Sequence, residues 1–427
     1  MTQLDGLTRE RMSEQLELLM TKYRDIQSQG LQLDMSRGKP CAEQLDLSNG
    51  MMDVLTSRDN FKLQDGSDSR NYGGVDGIPE AKELFSQMLG VSPKEMIIGG
   101  NSSLNMMHDT LARAMLFGVL GSDVPWSKLP KVRFLCPSPG YDRHFAICEL
   151  LGIEMIPVDM LQDGPDMDAV EHLVRNDESI KGIWCVPKYS NPEGITFSDA
   201  VVDRFANMET KAPDFRIMWD DAYTVHHLTD EPDGLKNILE ACTAAGNPDR
   251  VFIYSSTSKV TFPGSGVAVM AASEANIGFI RKQLSAQTIG PDKQNQLRHV
   301  RLLRNMDGIE QHMKKHAAII KPKFDTVLRM LESELGQLNI ASWSKPNGGY
   351  FISLNTPDGC AKAVVNMAAA AGVVLTKAGA TYPYGNDPRD RNIRIAPTFP
   401  PMGELEKAIE VLCLCLQIVS IKQLLQG

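Results

Sequence analysis

The chain has 427 residues, more than the ~250–300 that one core usually serves, so two folding units are expected. Hydrophobic residues make up 42% and charged residues 23%, a globular balance that excludes a disordered or fibrous chain. A net charge of −9 excludes a broad surface for nucleic-acid phosphates, while leaving room for a local basic pocket that takes a small anion.

The first 25 residues are charged and amphipathic and lack the apolar run of a signal peptide, so they are expected to form a first helix of the mature protein. Between 79 and 89, apolar side chains at Ala81, Leu84, Phe85, Met88 and Leu89 follow Pro79 and stop at Gly90, which predicts a helix. Short apolar runs then alternate with helical periodicity. Strands are expected at 96–98, 132–136, 154–158, 182–186, 215–219, 251–255 and 267–270. This alternation predicts an α/β fold whose large domain is a mainly parallel sheet between helices.

After residue 305 the pattern changes to a long helix through Leu335, a strand at 350–354, an alanine-rich helix at 361–371, a strand at 392–396 and a terminal helix. The apolar stretch 408–425 is interrupted by Glu410, Gln417 and Lys422 and reads as a packed helix, so no membrane span is expected. The expected division is 1–60 as a segment joining the small domain, 61–305 as the large domain and 306–427 as a smaller α+β domain. Eight scattered cysteines, without a C-x-x-C pair, predict reduced thiols and a cytoplasmic protein.

In an open α/β sheet, chemistry gathers at the carboxyl ends of the strands. Four such ends carry notable residues: Gly99-Gly100-Asn101-Ser102-Ser103 at a helix start, Tyr189-Ser190-Asn191-Pro192-Glu193-Gly194, Asp220-Asp221-Ala222-Tyr223, and Ser255-Ser256-Thr257-Ser258-Lys259. The first offers orphan amides and hydroxyls to an anion. His226-His227 lack further ligands at metal spacing, so no metal site is expected.

Together these motifs, with about thirty residues between the last three, resemble class I aminotransferases of pyridoxal-phosphate (PLP) fold-type I across residues 30 to 420. The runs Ser36-Arg37-Gly38-Lys39-Pro40, Gly99 to Leu104 and Gly290-Pro291-Asp292-Lys293 are most similar to a divergent bacterial aspartate aminotransferase subgroup. The resemblance implies a seven-stranded-type sheet, PLP as cofactor, and Lys259 as the residue that carries it and moves the substrate proton. It implies Asp220 paired with the pyridine nitrogen, Tyr223 and Asn191 on the phenolate oxygen, and Tyr141 over the cofactor ring. Asn101, Ser102, Ser103, Ser256 and Ser258 would hold the phosphate, joined by Tyr72 from a second subunit of a homodimer. Arg394 would grip the α-carboxylate beside Gly38 and Asn191.

One departure matters. The phosphate-binding arginine common in class I enzymes, eight residues past the lysine, is replaced here by Val267. Arg37, Lys293 and Arg298 are the candidate replacement cations, and Arg37 or Lys293 could instead meet a distal substrate carboxylate. The expected reaction is ping-pong transamination of L-aspartate with 2-oxoglutarate, an amino acid and a 2-oxo acid. The alternatives are another amino donor, a PLP lyase or decarboxylase, or an aminotransferase-like effector domain. The last would need a DNA-binding domain, and only about thirty residues precede Ser36.

Overall fold

The computed structural model describes residues 8–426. From the N-terminus the chain runs α1 (Arg9–Ser28), β1 (Leu33–Met35), α2 (Ala42–Asp46), α3 (Pro79–Leu89), β2 (Met96–Ile98), α4 (Ser103–Phe117), β3 (Arg133–Ser138) and α5 (Asp142–Leu150). It continues through β4 (Glu154–Leu161), β5 (Gly164–Pro165), α6 (Met167–Asn176), β6 (Ile180–Cys185), α7 (Asp199–Asn207), β7 (Arg216–Asp220), α8 (Ile238–Ala244), β8 (Val251–Ser256) and β9 (Ala268–Ala271). The remainder is α9 (Glu274–Gln287), α10 (Lys293–Leu303), α11 (Met306–Leu335), β10 (Ser342–Trp343), β11 (Ile352–Asn355), α12 (Ala361–Ala370), β12 (Val373–Leu375), β13 (Asn392–Ile395) and α13 (Met402–Gln426).

The large sheet has eight strands in the order β2-β9-β8-β7-β6-β3-β4-β5. β8, β7, β6, β3 and β4 are mutually parallel, β9 runs antiparallel to both neighbours, and β5 is a two-residue edge strand. The expected seven strands are all present, and β5 adds the eighth. Alternate side chains feed two separate cores, as the two-residue strand period requires. Leu135, Ile183, Ile217, Ile253 and Val269 join the core beneath α3, α6, α7 and α8. Phe134, Trp184, Met218, Phe252 and Met270 join the core beneath α4, α5 and α9. Each such buried aliphatic or aromatic side chain stabilises by roughly 1.5–3 kcal/mol, so both faces are firmly anchored.

Local chemistry explains the helix ends that position the site. Pro79 starts α3 and Gly90 stops it at φ +65°, a left-handed conformation that suits glycine. Ser102 caps α4 by accepting from the Leu104 N–H at 3.2 Å.

A third core collects the ends of the chain. α1 packs on α13, and the Tyr23 hydroxyl donates to the Met367 carbonyl at 2.9 Å. β1 pairs in parallel with β12, while β10, β11 and β13 form a three-stranded antiparallel sheet. α13 is long and apolar enough to cross a membrane by composition, but it packs here against α1, α11 and α12 with Leu405, Ile409, Leu412, Leu416 and Ile421 buried. Its central residues 411–418 are all buried, so that part of the helix fits the interior of a layer. All eight cysteines are unpaired and buried.

Candidate active site

Lys259 lies just past the carboxyl end of β8, in a loop tied down on both sides. The Thr257 N–H donates to the Val267 carbonyl, and the Thr257 hydroxyl accepts from the Val267 N–H, each at 2.9 Å. The His299 ring sits 3.1 and 2.8 Å from the Thr257 and Thr261 hydroxyls, and His312 Nε2 lies 2.7 Å from the Val260 carbonyl oxygen. The Lys259 ammonium nitrogen stands 5.1 Å from the Tyr223 ring centre and 5.7 Å from that of Tyr350. Burial pulls its pKa below the ordinary lysine value, against the opposing pull of the Asp220 carboxylate. A lysine in this setting is readied for nucleophilic work.

Asp220, the last residue of β7, is buried at the neighbouring strand end. One carboxylate oxygen lies 2.9 Å from His144 Nε2. His144 stacks on Trp184 with ring centres 4.2 Å apart and planes 7° apart, and meets the edge of Tyr141 at 4.9 Å. The other oxygen, Oδ1, is buried without a partner. A buried acceptor left unmade is costly, and a protonated ring nitrogen is the group that satisfies it. The donor set therefore fits the pyridine ring of PLP.

His144 is a residue that the motifs do not reveal. It lies in the first turn of α5, three positions past Tyr141, the residue that precedes the helix as its cap, and the two rings meet there; that closeness in sequence is the signal that could have found it. Sequence alternation sends Asp221 away from Asp220, with a solvated loop charge as its plain role. The structure corrects that role: Asp221 is buried beside Lys188, and burial pushes its pKa up to about 6.

Tyr223 is buried, and burial holds its phenol well above the ordinary tyrosine range, so it stays a neutral donor. Its ring lies 6.1 Å from Tyr350 at 23°. Tyr141 and Asn191 line one pocket with His144 and Trp184.

The anion end gathers at the start of α4. Ser256 Oγ donates to Ser258 Oγ at 3.0 Å, and Ser258 Oγ reaches the Asn101 carbonyl at 3.5 Å. Ser102 and Ser103 follow as the cap and first residue of the helix. Arg298 lines an adjoining pocket with Gly100, Asn101 and Gly266, and its Nε is buried without a partner. The other two candidate cations lie elsewhere. The Lys293 ammonium is bound by the carbonyls of Asn71 and Gly73, the latter at 2.7 Å, and so braces the loop on which Tyr72 is 82% exposed. Arg37 is exposed, next to Gly38.

Gly38 has no room for a side chain, because a Cβ there would come within 2.4 Å of the Phe351 ring. Phe351 in turn lies 4.9 Å from the Arg394 guanidinium carbon. Arg394 stands on β13 opposite Ser353 of β11. Its Nη1 donates to Asp142 Oδ1 at 2.9 Å and to Asn191 Oδ1 at 3.2 Å. A lysine amine, a carboxylate with one free oxygen, a serine-rich helix start and an arginine fork are thus set by four segments of the chain.

Residues 7–427 match the family model described as aspartate amino-transferase. An aspartate aminotransferase of Corynebacterium glutamicum is 45% identical over 404 residues, covering 95% of this chain and 93% of its own. The crystal structure of an aspartate transaminase from Corynebacterium glutamicum superposes with a TM-score of 0.96 at 43% identity, covering 99% of both chains. A more distant α-aminoadipate aminotransferase of Thermus thermophilus, complexed with N-(5'-phosphopyridoxyl)-L-leucine, shares the fold with a TM-score of 0.74 at 19% identity, over 92% of this chain and 93% of its own. The chain belongs to the aspartate aminotransferase family and is a PLP-dependent amino-group transferase of fold-type I.

Proposed function

We propose that this enzyme transfers the amino group of L-aspartate to 2-oxoglutarate by a ping-pong mechanism. The observation that carries the proposal is the Arg394 fork, hydrogen-bonded to Asn191 and packed on Phe351, whose ring also closes on Gly38, the neighbour of the exposed Arg37. A second arginine on the Gly38 segment would suit a substrate with two carboxylates. The names of the relatives in Corynebacterium glutamicum support the same donor.

PLP, when bound, supplies an electron sink for the charge that develops at the substrate Cα. The chain's own residues do the rest. Lys259 would carry the cofactor and would move the substrate Cα proton. Asp220, backed by His144, would keep the pyridine nitrogen protonated through its free oxygen. Tyr223 and Asn191 would donate to the phenolate oxygen, and Tyr141 would cover the ring. Asn101, Ser102, Ser103, Ser256 and Ser258 receive the phosphate, and Arg298 supplies the charge that Val267 cannot. Arg394 fixes the α-carboxylate beside Gly38, and Arg37 reads the distal one. Lys293 serves the Tyr72 loop rather than the substrate, because its ammonium is already committed to backbone carbonyls.

The working unit is a cytoplasmic homodimer in which Tyr72 of each subunit completes the other's phosphate site. The chain works as two units, with 1–60 and 306–427 forming the smaller, a division supported by the packing of α1 on α13 and the β1–β12 pair. An amino-donor panel with 2-oxoglutarate tests the reaction. Aspartate should give the highest kcat/KM, and a preference for alanine or phenylalanine would remove the aspartate assignment.

A further inference from the structure

We infer that Asp142 is an internal stand-in for the substrate α-carboxylate, seated on Arg394 when no substrate is bound and displaced when one arrives. The inference rests on the reading of Arg394 as the α-carboxylate grip. The Arg394 side chain is only 6% exposed, and a guanidinium that far from water needs a counter-anion. Asp142 supplies it, with Oδ1 2.9 Å from Nη1. Asn191 Oδ1 shares the same nitrogen at 3.2 Å, so the intramolecular hydrogen bonds of the fork all run through Nη1 among the described residues. Nε is buried without a partner. A carboxylate that binds an arginine bidentately needs two neighbouring nitrogens, and Asp142 holds one of them.

Asp142 is also built to leave. Its side chain is 34% exposed, against 6% for Arg394, so water is open to it. It is the first residue of α5, where the amino end of the helix favours a carboxylate after the ion pair opens. Asn191 is neutral and buried and has no such exit. Binding of an amino acid therefore exchanges one carboxylate for another on the same fork, and affinity is the difference between the two. Removal of the Asp142 charge strengthens the α-carboxylate site, and does so equally for every amino donor, because every donor presents the same group.

The test is calorimetric titration of the holoenzyme with propionate, which offers one carboxylate, and with succinate, which offers two. Wild type, Asp142→Asn, Asp142→Ala and Arg394→Ala are compared. Both Asp142 variants are expected to bind each probe several-fold to tenfold tighter, with KM lowered in proportion for aspartate and alanine alike. The Asp142→Asn holoenzyme should also gain more Tm from saturating propionate than wild type gains. Unchanged or weaker binding in either Asp142 variant overturns the inference, and weaker binding would make Asp142 a positioning residue for Arg394. The Arg394→Ala arm separates the two readings. Loss of propionate binding there, with Asp142→Asn unchanged, sinks the stand-in alone; binding as in wild type sinks the Arg394 reading and the stand-in with it.

Discussion

The floor of the site and its rim handle charge in opposite ways. On the floor, the Asp220 carboxylate is buried, its outer oxygen is held by a histidine that is itself stacked on Trp184, and the lysine loop is clamped by His299 and His312. On the rim, Arg394 shares its charge with a carboxylate one third exposed to water, and Arg37 stands in solvent. On the proposed reading the floor serves chemistry common to every substrate and is fixed, whereas the rim would meet groups that come and go and its charges would be exchangeable.

The strongest way to break this contrast is to remove a floor residue. Lys259→Ala should lose on the order of 10⁴-fold in kcat, because nucleophile and proton carrier go together, and steady-state rates with aspartate check it. On the rim, Arg394→Ala should cost on the order of 2–5 kcal/mol of substrate binding, equally for aspartate, alanine and phenylalanine. Unequal losses would move Arg394 from the shared α-carboxylate to a specificity role. Arg298→Ala should weaken cofactor retention by about 1.5–3 kcal/mol, as loss of a charge-assisted hydrogen bond does, read as the dissociation constant of PLP in equilibrium dialysis.

A smaller effect sharpens the picture of the fixed floor. His316 sits 3.1 Å from the Gln44 amide, which in turn donates to the Tyr350 hydroxyl, and burial pushes its pKa down to about 4. The unfolded chain therefore binds a proton that the folded one refuses between about pH 6.5 and 4, and stability falls as pH drops through that window. His316→Gln should reduce the acid-side slope by up to about 1.4 kcal/mol per pH unit in denaturant melts. An unchanged slope would place the acid sensitivity elsewhere.

The floor was the part most legible in the sequence. Lys259, Asp220, Tyr223 and Asn191 each follow a short apolar strand, so a reading of strand ends finds them. The seven principal strands were legible for the same reason, being β-length apolar runs between periodic helices. Contacts between distant segments were not. His144 meets Asp220 across 76 residues and Arg394 meets Asp142 across 252, and no local pattern marks either pair. Nor could the sequence choose among Arg37, Lys293 and Arg298, because the choice depends on which ammonium or guanidinium the backbone has already claimed. The strands β1 and β12 were missed because three residues are too few to show a period.

The most direct test of the account is borohydride reduction of the yellow holoenzyme followed by peptide mapping. A pyridoxyl group is expected on Lys259, within the peptide that contains Ser256, Thr257 and Ser258, and none in Lys259→Ala. A label on any other lysine of the wild-type protein would contradict it.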